Sequence, residues 1–156
     1  TVHAIDVGAG VLRYGHCRAE ELGVAIHFSQ QDAEHTSLAD GSVDLIVSHL
    51  LGHETSLRGY RNIMLECHRL LRPGGMMLHT ETEWSTKTDP FNQSVLDWET
   101  HYNGEPFKTT LDKLDSPAVA RDAGFSAKKV FVEHAPSQRA GAKYYQGRWA
   151  IFGAVK

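Results

Sequence analysis

Several side-chain clusters in this 156-residue sequence have the types and spacing that chemistry requires. Asp6-Val7-Gly8-Ala9-Gly10 sets glycines directly behind a short apolar run. Glycine lets a backbone approach a ligand closely, because no side chain intervenes and unusual backbone angles carry little steric cost. The third glycine of a dinucleotide fingerprint is not in place. Ser48-His49-Leu50-Leu51-Gly52-His53-Glu54 follows a second apolar run and carries two histidines. Imidazole titrates near neutrality, so both His53 and His49 are candidate general bases, with His53 preferred. A spacing of four would put the two on one face of a helix, yet a zinc site needs more ligands than this neighbourhood supplies. Glu81, Glu83 and Trp84 come just after a third apolar run, and Trp98, His101 and Tyr102 lie further on. Glu83, Trp84, Trp98, His101 and Tyr102 are read as substrate-binding groups that would form an aromatic lid. The competing reading has Trp98 and Tyr102, four apart, anchoring their helix to the core.

These groups need elements to hold them. Thr1 to Val7 reads as a buried strand, and Leu12 to Leu22 as a helix stopped by Gly23. Val24 to Phe28 alternates like a strand, and Val43 to Val47 is a continuous apolar run of the kind found in parallel sheets. From Leu57 to Leu71 the residues Tyr60, Ile63, Met64, Cys67, Leu70 and Leu71 recur at helical spacing, with Pro73-Gly74-Gly75 as the expected stop. Met76 to Thr80 is the next strand, and Asp89 to Tyr102 a helix. Ser116 to Ala123 is a helix with Ser116 as its expected cap and Pro117 in its first position. Val130 to Glu133 and Trp149 to Val155 have no helix between them, so they are expected to pair as an antiparallel hairpin at one edge. Strands alternating with helices imply an α/β fold: a Rossmann-like, doubly wound, mostly parallel sheet covered on both faces, with ligands at the carboxyl ends of the strands.

The order of four blocks is more specific than any of them alone. The glycine turn is followed by Gln31-Asp32-Ala33-Glu34, then by Leu38-Ala39-Asp40-Gly41-Ser42-Val43-Asp44-Leu45-Ile46-Val47-Ser48, then by Glu66-Cys67-His68-Arg69-Leu70-Leu71-Arg72-Pro73-Gly74-Gly75. In this order the chain resembles the class I S-adenosylmethionine-dependent methyltransferases, especially the branch acting on small molecules, over about Val2 to Thr80. The resemblance implies S-adenosylmethionine as cofactor. It places Asp6, Gly8, Ala9 and Gly10 under the methionine and ribose, and Asp32, Ala33 and Glu34 around the adenine, with Ser48 and His49 completing the cofactor-binding set.

One departure is large. In the family a helix and a second strand lie between the glycine turn and the helix found here at Leu12 to Leu22, and a strand-helix-strand unit takes about 30 residues or more. That first helix and second strand are missing from this chain, and with them an acidic residue to hold the ribose hydroxyls. A true deletion would remove a central strand and half the cofactor site, so a stretch is expected to be missing around residues 10–12.

Composition narrows the rest. Forty-one per cent hydrophobic residues suffice for one core, so a single domain over 1–156 with a lid-like insertion at about 84–110 is expected. Sixteen basic against nineteen acidic residues give a formal net charge of −3, which does not favour a nucleic-acid partner. Cys17 and Cys67 both fall in helical stretches, which argues against disulfides and for a reducing compartment. No apolar run approaches the roughly 18 to 20 residues of a membrane span, and the first residues lack signal-peptide character, so no membrane partner and a cytoplasmic location are expected. Ser48-His49-Leu50-Leu51 replaces the Asn-Pro-Pro-Tyr pattern of methyltransferases that act on base or amide nitrogen, and no Asp-Asn pair of the metal-dependent catechol type follows the later strands. The expectation is therefore metal-independent methyl transfer to a small-molecule acceptor. Two alternatives stand beside it: a noncatalytic S-adenosylmethionine-binding module, and a nicotinamide-dependent Rossmann oxidoreductase, which the incomplete glycine fingerprint disfavours.

Overall fold

The first apolar run and its glycines form strand β1 (His3–Asp6) and open helix α1 (Ala9–Leu22) in the computed structural model, which describes residues 1–83, 90–111, 114–136 and 148–156. Residues 10–12, where the sequence led us to expect a missing stretch, belong to the first turn of α1 without interruption, and the Leu12 N–H donates to the Gly8 carbonyl at 3.2 Å. Gly23 ends the helix in the left-handed conformation (φ +66°), where glycine carries no Cβ penalty. Strand β2 (His27–Gln30) then returns parallel to β1, in register from His3 opposite His27 to Asp6 opposite Gln30. β1 hydrogen-bonds directly to β2, with no strand between them.

Strand β3 (Val43–His49), helix α2 (Leu57–Leu70) and strand β4 (Leu71–Glu83) make the second parallel unit. Ser56 caps α2 by accepting from the Gly59 N–H at 3.1 Å. The helix stops at Leu70, because Leu71 is already extended, and Pro73-Gly74-Gly75 terminates nothing. Instead Arg72 to Gly75 bulge out of β4: Val43 lies opposite Leu71 but Leu45 opposite Met76, and Gly74 takes φ +82° at the bend. Proline supplies no N–H for the ladder, which suits a bulge better than continued pairing.

Strands β5 (Val130–Pro136) and β6 (Arg148–Val155) form the expected antiparallel hairpin, with β6 against β4 and β5 at the edge. The sheet order is β3-β4-β6-β5, and β1-β2 is a separate ladder. Helix α3 (Pro90–Tyr102) and the single turn α4 (Lys108–Leu111) lead to α5 (Ser116–Asp122). Asp115, not Ser116, caps α5, accepting from the Ala118 N–H at 2.9 Å.

The core lies between α2, α5 and one face of the four-stranded sheet. Tyr60, Ile63, Met64 and Cys67 meet Met77, Phe152 and Ala154 from the strands, and Val119, Ala120, Ala123 and Phe125 from α5 and its end. Met64, Leu71 and Met77 are fully buried, each stabilising by roughly 1.5 to 3 kcal/mol through removal from water. The opposite face differs from the expectation of a sheet covered on both sides, since Leu45 and Val47 of β3 remain 50% and 64% exposed. Both cysteines are free thiols, and burial pushes that of Cys67 up to about 12.

Candidate active site

At the glycine turn, the Asp6 carboxylate does not project into open space: its Oδ1 accepts the Gly8 N–H at 2.6 Å and braces the turn. Gly8 stands at the cap of α1 with no side chain bonded to the helix's first N–H groups, and a Cβ on Gly10 would meet nothing within 4 Å. Uncapped N–H groups at a 14-residue helix start, beside an open glycine, fit a ligand with negative or polar groups. The β2 end closes on the same turn, because Gln30 Nε2 donates to the Val7 carbonyl at 2.8 Å and the Gln31 N–H to the Asp6 carbonyl at 3.1 Å. Beyond it, the Asp32 Oδ1 accepts the Glu34 N–H at 2.9 Å and leaves Asp32 exposed. Ala33 packs against the core, and the Glu34 carboxylate is drawn to α2, where it accepts from Asn62 Nδ2 at 2.7 Å.

The ends of β3 and β4 hold a second polar group. Past His49 the chain turns at Leu50, which has φ +57°, a left-handed conformation that costs a bulky residue about 1–2 kcal/mol. The Leu50 N–H donates to the Thr80 carbonyl at 2.9 Å, and the chain enters a 3₁₀ turn at Gly52–Glu54. His53 is buried there at 7% exposure. Its Nδ1 lies 2.7 Å from Glu81 Oε2, while the other oxygen of the same carboxylate accepts the Gly52 N–H at 2.6 Å. The hydrogen bond to Glu81 raises the His53 pKa against the opposing effect of burial, with Glu54 and Glu105 adding in the same direction. Nε2 of His53 sits 3.5 Å from the exposed carboxylate of Glu54. Helix α4 packs on this turn, with Lys108 buried and paired to Glu105 at 3.1 Å. Glu81 was legible in the sequence only as a polar residue after a strand; its partner lies 28 residues away and is brought to it by the β3–β4 register.

The sequence profile of the methyltransferase domain family matches residues 1–75. That match covers just under half of the chain. The uncapped start of α1 with open Gly10 fits S-adenosylmethionine, the cofactor expected from the sequence. Among solved structures, a methyltransferase from Methanosarcina mazei shares the fold at TM-score 0.74 and 16% identity, over 99% of this chain and 81% of that one. A putative sarcosine dimethylglycine methyltransferase from Galdieria sulphuraria aligns at TM-score 0.71 and 13% identity, over 100% and 69%. Phosphoethanolamine N-methyltransferase 2 from Haemonchus contortus, in complex with S-adenosyl-L-methionine, aligns at TM-score 0.68 and 18% identity over 99% of this chain, which spans 43% of that protein. No curated protein sequence matches the chain.

The two histidines do not share a face, because β3 runs to His49 and no helix joins it to His53. His49 is exposed and its ring lies 5.1 Å from that of Trp149. Ser48 is turned to the core side, with Oγ 2.6 Å from His79 Nδ1. Burial holds the His79 pKa down to about 4, and its Nε2 has no partner among the described residues. Glu83 pairs in register with Arg148 at the end of β4, and Trp84 lies outside the described residues. On α3, Trp98 and Tyr102 have ring centroids 6.3 Å apart and are 57% and 78% exposed, so they do not anchor the helix to the core. His101 is exposed beside them, its Nδ1 2.7 Å from the Asp97 carbonyl.

Proposed function

We propose that this chain transfers a methyl group from S-adenosylmethionine to a small-molecule acceptor at oxygen, nitrogen or carbon, with no requirement for a metal ion. The observation that carries the reading is the buried His53 held by Glu81 at the carboxyl ends of adjacent parallel strands, where α/β folds place their chemistry. The names of two solved neighbours, a phosphoethanolamine N-methyltransferase and a putative sarcosine dimethylglycine methyltransferase, support a small acceptor. The turn Asp6 to Gly10, the loop Asp32 to Glu34, and Ser48 with His49 would hold the cofactor. When bound, it supplies a methyl group on a positively charged sulfur. The chain's own work is to bind and align the acceptor and to take its proton, for which His53 Nε2 is the group at hand. Glu83, Trp84, Trp98, His101 and Tyr102 would form the acceptor side, with the exposed Trp98 and Tyr102 as its apolar cover.

Calorimetric titration with S-adenosylmethionine and with its demethylated product tests the cofactor, and release of that product with panels of small hydroxyl and amine acceptors tests transfer. Binding of both ligands and turnover that survives treatment with EDTA are expected. No binding of either would overturn the reading, and binding without turnover on any panel would favour the noncatalytic module.

A further inference from the structure

We propose that Glu81 is a positioning residue that fixes His53 with its proton on Nδ1, leaving the Nε2 lone pair as the proton acceptor. The inference deepens the methyl-transfer reading and rests on it for its functional meaning. Its geometry stands on two contacts from one side chain. A carboxylate only accepts, so the 2.7 Å contact between Glu81 Oε2 and His53 Nδ1 requires a hydrogen on Nδ1. The second contact, from the Gly52 N–H to Oε1 at 2.6 Å, prevents the carboxylate from rotating away. Consecutive residues of the 3₁₀ turn are thus gripped by one residue of the neighbouring strand. A hydrogen bond at one ring nitrogen decides what the other nitrogen does. Nε2 is left facing the exposed carboxylate of Glu54 at 3.5 Å, beyond hydrogen-bond reach.

The space around Gly52 shows how closely this clamp is fitted. A Cβ at Gly52 would lie 2.9 Å from Leu111 of α4, 3.0 Å from Glu81 Oε1 and 3.2 Å from Tyr60 of α2. Among the described residues, the ionisable groups acting on His53 are Glu81 from β4, Glu54 on its own turn and Glu105 ahead of α4 with its partner Lys108, and Tyr60 from α2 lies beside neighbouring Gly52. Tyr60 stays neutral, since burial pushes its hydroxyl up to about 12. Glu81 is the acid in direct contact with the ring.

The test is 15N NMR of the whole chain labelled at histidine, with the His53 signals assigned among the ten histidines by their loss in His53→Asn. In the wild type, the neutral form of His53 is expected to carry its proton on Nδ1. In Glu81→Gln, the amide carbonyl can serve Gly52 or His53 but not both. The tautomer is expected to shift toward Nε2–H, and the titration midpoint of His53 to fall. An Nε2–H tautomer in the wild type, or a folded Glu81→Gln variant with tautomer and midpoint unchanged, overturns the inference. Should that variant fail to fold, the wild-type tautomer alone decides. No acceptor enters this measurement, so failure of the methyl-transfer reading would show in the ligand titrations and leave this result standing.

Discussion

As the proposed base, His53 would carry opposite consequences for rate and for stability. Methyl transfer to a protonated acceptor needs the neutral imidazole, so the rate should rise with pH through a midpoint above the ordinary 6.5. The stabilisation from the His53–Glu81 pair runs the other way. A raised folded pKa means that this stabilisation is complete below 6.5 and fades as pH climbs through the folded value. A pH–rate profile recorded beside a pH–denaturation series should therefore show activity increasing where stability declines. His53→Asn is expected to lower turnover by about 10²- to 10⁴-fold with cofactor affinity unchanged, checked by kinetics and calorimetry on one preparation. Gly52→Ala should destabilise by roughly 1–3 kcal/mol in urea denaturation, because a methyl group there meets three neighbours at once. His53 and His49 were legible because imidazoles after a strand stand out by type. Their divergence was not legible, since it depends on where β3 ends and on the left-handed turn at Leu50, which no residue preference announces.

At the scale of elements, Glu66 joins α2 to the loop before β3. Its Oε1 accepts from both the N–H and the hydroxyl of Thr36, at 2.8 and 2.7 Å, and its carboxylate pairs with Arg69, which also reaches Asp40 and the Leu38 carbonyl. Arg69 and Thr36 together hold the Glu66 carboxyl down to about 2. A depressed carboxyl stabilises fully above its ordinary 4.5 and loses that contribution as pH falls toward 2. Glu66→Gln should thus cost about 2 kcal/mol near neutrality and converge with the wild type in acid, as measured by urea midpoints across pH. The sequence pattern around this network announced a helix but not its role as a tie. Most elements were legible from period alone, including the closing hairpin, which follows from two strands with no helix between them. Three details escaped: the bulge at Arg72 to Gly75, the Asp115 cap, and the short turns at Gly52–Glu54 and Lys108–Leu111. Each depends on pairing or packing with residues distant in sequence.

For the molecule as a whole, part of the apolar surface stays uncovered. Leu45 and Val47 point away from the core, and Val7, Val11 and Tyr14 near the glycine turn are also mostly exposed. Val47→Lys is expected to change stability by no more than about 0.5 kcal/mol, since an exposed side chain loses little on becoming polar. A loss of several kcal/mol in thermal denaturation would mean that this face is covered in solution.

The separation of the β1–β2 ladder from the four-stranded sheet sets a hierarchy of opening. Two strands joined only to each other are marginal on their own, whereas β4 and β6 share a ladder from Met76–Val155 to Glu83–Arg148. Amide hydrogen exchange should find β1 and β2 releasing their protons through a local fluctuation, well before β4 and β6, which exchange only when the whole fold opens. The glycine turn belongs to the part that opens first, so a ligand seated on it would be read as slowed exchange in β1 and β2. It would lend its own binding energy to the weakest part of the fold.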